Sequence, residues 1–321
     1  MFYVRIIVSV LVLVIVLAII PWDDFIESNI WSQLIGWYLF LAGILVLIDR
    51  VVNACRWYLL IDHRKSNLYF RQVLSIYFKS AFLGLIVPSS AGGELLKGYG
   101  LMKSGYQMAE SFSSVFVERL FGLVALVLTC IIGFFMFYKQ LKIIPIELVE
   151  RMFVLVFMIC LCGIVVSYFF FRWFEQWVNP ESKIALRLKE IRCSLQYYQK
   201  IKMQLVLALG LSFLVQIIRI FFTWLIGLGV GISLELPYYV LFVPVISLVS
   251  MIPISIAGIG VQEGAFIYFF SLTETNMAMV LVMALFVRLF VTVSVLPGGI
   301  FYAQEGLGTD STRNEKEIFK E

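Results

Sequence analysis

"VPSSAGGELLKGYGLMKSG" occupies residues 87–105, behind the apolar run 73–87 and ahead of the apolar run 111–137. Proline and glycines interrupt what would otherwise continue as a membrane helix, and Glu94 and Lys97 follow at once. The run 73–87 has fifteen residues, short of the roughly 17–25 that a helical crossing needs. The same order returns later. The run 238–252 ends at Pro253, and Gly258, Gly260 and Glu263 follow, as Gly92, Gly93 and Glu94 follow Pro88. An arginine inside the next apolar run completes each copy, Arg119 in "FVERLFGLV" and Arg288 in "LFVRLFVTV". Glutamate and arginine are 25 residues apart in both copies.

Composition sets the solvent in which these motifs are read. Of 321 residues, 61% are hydrophobic and 14% charged, against about 45–50% and about 25% in soluble domains. Only helices or closed barrels satisfy their backbone in lipid, and barrel strands alternate in polarity over about ten residues. The apolar runs here are continuous, so the fold expected is an all-α polytopic integral membrane protein. Six full spans are placed at 3–20, 31–48, 111–137, 152–171, 203–228 and 277–302. Two short, broken or re-entrant helical hairpins accompany them. Residues 51–61 read as a continuation of the second span or as an interfacial helix with Arg56 and Trp57 at its wet edge. The basic start and apolar stretch at the N-terminus lack a small-x-small cleavage site, which predicts a retained helix. Residues 1–303 are taken as one transmembrane domain and 304–321 as a short polar cytoplasmic tail.

Lysines and arginines crowd the loops 49–72 and 172–202, whereas 21–30 and 229–237 have none. The positive-inside rule then puts both termini in the cytoplasm of a cell (plasma) membrane protein, the segment 138–151 with Lys139, Lys142 and Arg151 diluting the contrast. With that topology the two copies, about 73–137 and 238–302, enter the membrane from opposite sides. This is an inverted repeat, the arrangement in which transporters bind substrate beside broken helices.

A glycine-rich opening to a helix presents free N–H groups and the positive end of a dipole, which favour an anion such as phosphate. Arginine adds bidentate recognition of the same group. The candidate substrate-binding or gating residues are therefore Glu94, Lys97, Arg119, Glu263 and Arg288, with Gly92, Gly93, Gly258 and Gly260 as turn glycines. The carboxylates would pair with the arginines or accept a proton during transport. The competing reading is that each Glu–Arg pair only pins its hairpin to the neighbouring helix. Arg119 lies about 12 Å into its span by helical rise and is able to snorkel; Arg288 is nearer the middle, where an arginine is costly. Glu118 and Arg219 read as structural.

Little else in the chain points to chemistry. Cys55, Cys130, Cys160, Cys162 and Cys193 have no metal-ligand spacing, and His63 sits in a charged loop. "GLGVG" at 227–231 lacks the strand–turn–helix setting of a nucleotide loop and ends a span. No metal, cofactor, nucleic-acid partner or catalytic residue is expected, and the chain is read as a non-enzyme. Its partners are membrane lipids with an anionic phosphate head group. The alternative is a non-catalytic scaffold subunit for a membrane enzyme partner, a glycosyltransferase or lipid synthase. An intramembrane lipid enzyme is the weaker third reading.

Taken in order, "RW" at 56–57, "VPSSAGGELLKGYGLMKSG", "ERLFGL" and "IPISIAGIGVQEGAF" with its later arginine resemble the membrane region of lysylphosphatidylglycerol synthases. The resemblance covers about residues 5–303; where the family usually has arginine after its G-E pair, this chain has Lys97. It implies a flippase-like protein for a phospholipid or a polyprenyl-phosphate-linked sugar. In two-part members a separate soluble domain transfers the aminoacyl group, and that activity is not carried over to this chain.

Overall fold

The structure, a computed structural model, describes residues 34–62, 68–86, 92–137, 197–198, 200–251, 258–273 and 275–308. Among them there is no strand. The helices are α1 (Gly36–Leu60), α2 (Phe70–Ile86), α3 (Gly92–Lys103), α4 (Met108–Phe137), α5 (Lys202–Val230), α6 (Leu236–Ser250), α7 (Val261–Phe270), α8 (Met277–Val293) and α9 (Pro297–Gly308). Among the described residues, four stretches are long and apolar enough to cross a membrane: α1, α4, α5 and Met277–Tyr302, which runs from α8 into α9. The spans expected at 3–20 and 152–171, both hairpin prolines and the end of the polar tail lie outside the described residues.

The polarity of the molecule is that of a protein in lipid. Trp37, Phe40, Phe116, Phe135, Met136 and Ile300 are among the large apolar side chains turned outward, whereas Asp49, Arg56, Lys97, Glu118 and Glu263 are buried. Exposed apolar surface on this scale marks a membrane or a partner, and ionisable groups within spans face the bundle interior.

Where the sequence left residues 51–61 as a continuation or a separate interfacial helix, α1 is continuous from Gly36 to Leu60. The hydropathy falls there because Asp49, Asn53 and Arg56, spaced three and four apart, all lie on its buried face. One stripe of a helix turned inward looks, in a running average, like the end of a span. Arg56 is accordingly inside the bundle, not at a wet edge. A second stripe, Ser212, Gln216 and Thr223, is buried on α5, and α1 and α5 pack along their length. Helix α5 ends where "GLGVG" was expected to end a span. Gly231 adopts φ 96°, and the N–H groups of Gly231 and Ile232 donate to the carbonyls of Leu228 and Gly227, closing a Schellman turn.

The two copies of the motif are built alike. Short helix α2 packs on α3 and α3 on α4; short helix α6 packs on α7 and α7 on α8. The contacts between copies are reciprocal. The α2 helix rests on α9 at the end of the second copy, and α6 rests on α4 at the end of the first. At the first contact a Cβ on Gly298 would fall 2.0 Å from the Phe78 carbonyl oxygen, so only glycine permits that approach. At the other, Gly133 lies against Val240. Helix α6 also carries Pro244 in its interior.

Candidate functional site

Helix α3 opens at Gly92 and Gly93, and a Cβ on Gly93 would sit 3.2 Å from the Ser80 carbonyl of α2. This close approach sets α3 against α2 and directs Lys97, one turn further on, into the bundle, where it is 4% exposed. Its ammonium donates to Glu118 Oε2 at 2.6 Å and lies 3.7 Å from Glu94 Oε2. The same nitrogen lies 5.1 Å from the ring centres of both Trp57 and Tyr77, whose π faces add to its stabilisation. The Trp57 indole N–H donates in turn to Ser114 Oγ at 3.2 Å, fixing the ring.

Glu118 is the hub of this cluster. Its second oxygen accepts from Arg56 Nη2 at 3.0 Å, and Arg56 Nη1 donates to Ser212 Oγ on α5 at 3.3 Å. One buried carboxylate thus joins three helices, α1, α3 and α4, and a further step reaches α5. The adjacent Arg119 turns the other way and pairs with Glu94 Oε1 at 3.0 Å. Both members of that pair are partly open, at 48% and 26% side-chain exposure. Charges this accessible separate at low cost, unlike the enclosed Lys97–Glu118–Arg56 set.

These groups line a cavity of about 290 Å³ enclosed by α1 to α5. Five basic side chains, Arg50, Arg56, Lys97, Arg119 and Arg219, face it, against two carboxylates, Glu94 and Glu118. A second cavity of about 230 Å³ lies among α1, α5, α6, α7 and α8; apolar groups such as Phe222, Val243, Ile246 and Phe266 share its wall with polar ones, and its charged residues are Asp49, Arg50 and Arg219.

In the second copy the expected pair also forms. Arg288 forks onto Glu263, its Nε to Oε1 and its Nη2 to Oε2, the latter at 3.1 Å. Nη2 also donates to the Gly258 carbonyl at 3.0 Å and to Gln262 Oε1 at 3.3 Å. Glu263 Oε2 accepts from the Gly260 N–H at 2.8 Å. Gly258 and Gly260 adopt φ 71° and 81°, a backbone region open chiefly to glycine. The pair therefore locks a left-handed turn ahead of α7. Neither Glu263 nor Arg288 lines either of the two cavities.

The structure brings Glu94, Lys97 and Arg119 together in one chamber and gives Glu263 and Arg288 a separate, closed contact. Sequence reasoning set Glu118 and Arg219 aside and put Arg56 at the interface. The structure makes Glu118 the centre of the chamber wall and pairs Arg219 Nε with Asp49 Oδ1 at 3.2 Å. Among the described residues, no group of three or more His, Cys, Asp or Glu is placed to hold a metal.

No solved structure matches the chain. Over 243 residues it is 28% identical to the UPF0104 membrane protein MJ1078 of Methanocaldococcus jannaschii, covering 73% of this chain and 99% of that protein. The family model described as the lysylphosphatidylglycerol synthase TM region matches residues 3–299. With nearly its whole length matched, this chain belongs to the lysylphosphatidylglycerol synthase TM region family.

Proposed function

We propose that this membrane protein moves an anionic lipid, a phospholipid or a polyprenyl-phosphate-linked lipid, from one leaflet of the cytoplasmic membrane to the other, leaving it chemically unchanged. The observation that carries this reading is the charged cavity among helices long and apolar enough to cross a membrane, where five cations face two carboxylates. Cations are kept inside a bilayer protein where they meet each other's counter-charges or a substrate, and here they outnumber the carboxylates of the chamber. The partly open Glu94–Arg119 pair is the element suited to gating, since an arriving phosphate competes with Glu94 for Arg119.

The same reading takes the two copies of the motif as an inverted repeat. The two copies share motif order, a Glu–Arg pair at equal spacing, and reciprocal packing of each short helix on the last helix of the other copy. Opposed repeats of this kind expose a central site alternately to the two sides. Beyond the end of α1, the Lys and Arg of 64–71 and of 172–202 are taken as the cytoplasmic charges, a reading in which both termini are cytoplasmic.

The test is reconstitution into proteoliposomes carrying a fluorescent phosphatidylglycerol, with membrane-impermeant reductant quenching whatever is exposed outside. Quenching beyond the half reached in protein-free vesicles, lost in Arg119→Ala, is the expected result. Protein-free behaviour from folded wild-type protein with every lipid tried would reject transport and turn attention to a scaffold role.

A further inference from the structure

Arg50 and Arg219 are the two residues that line both cavities. They come from α1 and α5, where the chamber with seven charged side chains adjoins a cavity whose lining, apart from these two arginines, carries one charge, Asp49. Their bonding also differs from that of the other chamber cations. Lys97 and Arg56 share Glu118, and Arg119 has Glu94. Arg50 meets only neutral oxygens, donating from Nε to Ser294 Oγ at 2.8 Å and from Nη2 to the Val291 carbonyl at 3.2 Å. Arg219 spends Nε on Asp49 Oδ1, and its two terminal amino groups have no hydrogen-bond partner among the described residues. At 40% side-chain exposure that guanidinium is open to the cavities.

We infer that Arg50 and Arg219 are the subsite for the substrate's phosphate, with its hydrocarbon in the cavity beside Phe222, Val243 and Ile246 and its head group in the chamber of Lys97 and Glu94. This rests on the transport reading and names the atoms that would hold the cargo. The chemistry follows from position. In a phospholipid or a lipid phosphate, the phosphate is the point at which an apolar chain becomes a polar head. The two arginines stand at the matching boundary of the protein. Two guanidinium groups from two helices, lining the same two cavities, offer several N–H donors to the several oxygens of one phosphate. Arg50 brings a charge that no carboxylate among the described residues neutralises, and Ser294 with the Val291 carbonyl holds it in place. Asp49 orients Arg219 through Nε and leaves its other donors forward. In this scheme Lys97, enclosed by Glu118 and two rings, shapes the chamber and does not take the phosphate.

The experiment is equilibrium binding to the full chain in detergent micelles, read by native mass spectrometry. The probes are dioleoyl phosphatidic acid, dioleoyl glycerol with the same chains and no phosphate, and inorganic phosphate as competitor. Wild type is expected to retain phosphatidic acid over dioleoyl glycerol. Arg50→Gln, whose lost partners are neutral, is expected to weaken phosphatidic acid by about tenfold or more, the size of a charge-assisted hydrogen bond, without changing dioleoyl glycerol. Arg219→Lys, which keeps a cation for Asp49, is expected to weaken it by a smaller factor. If Arg50→Gln fails to fold, Arg50→Lys takes its place with the same direction of effect. Equal retention of phosphatidic acid by wild type and the folded variants overturns the subsite. Full displacement by inorganic phosphate at the same concentration overturns its assignment to a lipid. Phosphate-dependent binding in a protein that moves no lipid would keep the subsite and reject transport. Transport that persists with binding unchanged in Arg50→Gln would do the reverse.

Discussion

Glu118 accepts from Lys97 at 2.6 Å through one carboxylate oxygen while its other oxygen is held by Arg56 at 3.0 Å, and all three side chains are buried. Glu118, read from the sequence as structural, is the only carboxylate touching two buried cations among the described ion pairs. This asymmetry ranks the chamber's substitutions. Glu118→Gln leaves buried Arg56 with no carboxylate and Lys97 with only Glu94 at 3.7 Å, whereas Lys97→Met leaves Glu118 still paired with Arg56. Breaking a buried pair costs about 3–5 kcal/mol when one charge is stranded. Glu118→Gln is therefore expected to lower the unfolding temperature in detergent clearly more than Lys97→Met. The reverse order would show that Lys97, with its two aromatic contacts, is the true anchor.

Arg119 and Glu94 are expected to behave oppositely. Their pair is partly exposed, and exposed pairs contribute about 0–1 kcal/mol. Glu94→Gln and Arg119→Ala should melt close to wild type yet differ from it in lipid movement across proteoliposomes. A large loss of thermal stability in either would mark the pair as a structural pin.

Arg288→Ala is expected to act through the fold. It removes the cation from an almost fully buried Glu263 and the donor to Gly258, releasing the turn ahead of α7. The expected signature is faster amide hydrogen exchange over about residues 258–270, with lipid binding intact in the fraction that stays folded. Unchanged exchange together with lost binding would move Arg288 into the ligand site, where sequence reasoning had put it.

Gly298→Ala tests the contact between the two copies. The new methyl would collide with the Phe78 carbonyl, and overpacking costs about 1–3 kcal/mol, sometimes more. Gly210→Ala is the control, since a Cβ at Gly210 meets nothing within 4 Å. In a helix interior that change should be neutral or stabilising by up to about 1 kcal/mol. Equal melting of the two variants would refute the tight α2–α9 contact.

The helices were legible because spans announce themselves by apolar length, and the Glu–Arg pairs because charges inside such spans stand out. Four expected spans fall on described residues, and each contains a helix. Both pairs close across their 25-residue separation. The Lys97–Glu118–Arg56 network was not read, although its signal is present. Asp49, Asn53 and Arg56 repeat at helical spacing, and so do Ser212, Gln216, Arg219 and Thr223. Periodicity tells which residues share a face, but not which helix that face meets. The partners are 156 positions apart for Arg56 and Ser212 and 170 for Asp49 and Arg219. Glu118 was read as structural and as turned away from Arg119, since adjacent residues on a helix point about 100° apart, but that angle does not say which cations it meets.

Pro244 has a mechanical consequence for α6. With no N–H to give, it leaves the carbonyl of Val240, four residues earlier, without its usual donor. Gly133 of α4 covers that oxygen so closely that a methyl there would approach to 3.1 Å, a backbone shield that keeps the bare carbonyl from lipid. Residues on either side of the proline, Val243 and Ile246, wall the apolar cavity. A bend of the helix at that point would break no hydrogen bond of its ladder, and it would widen or narrow the second cavity about the contact with Gly133.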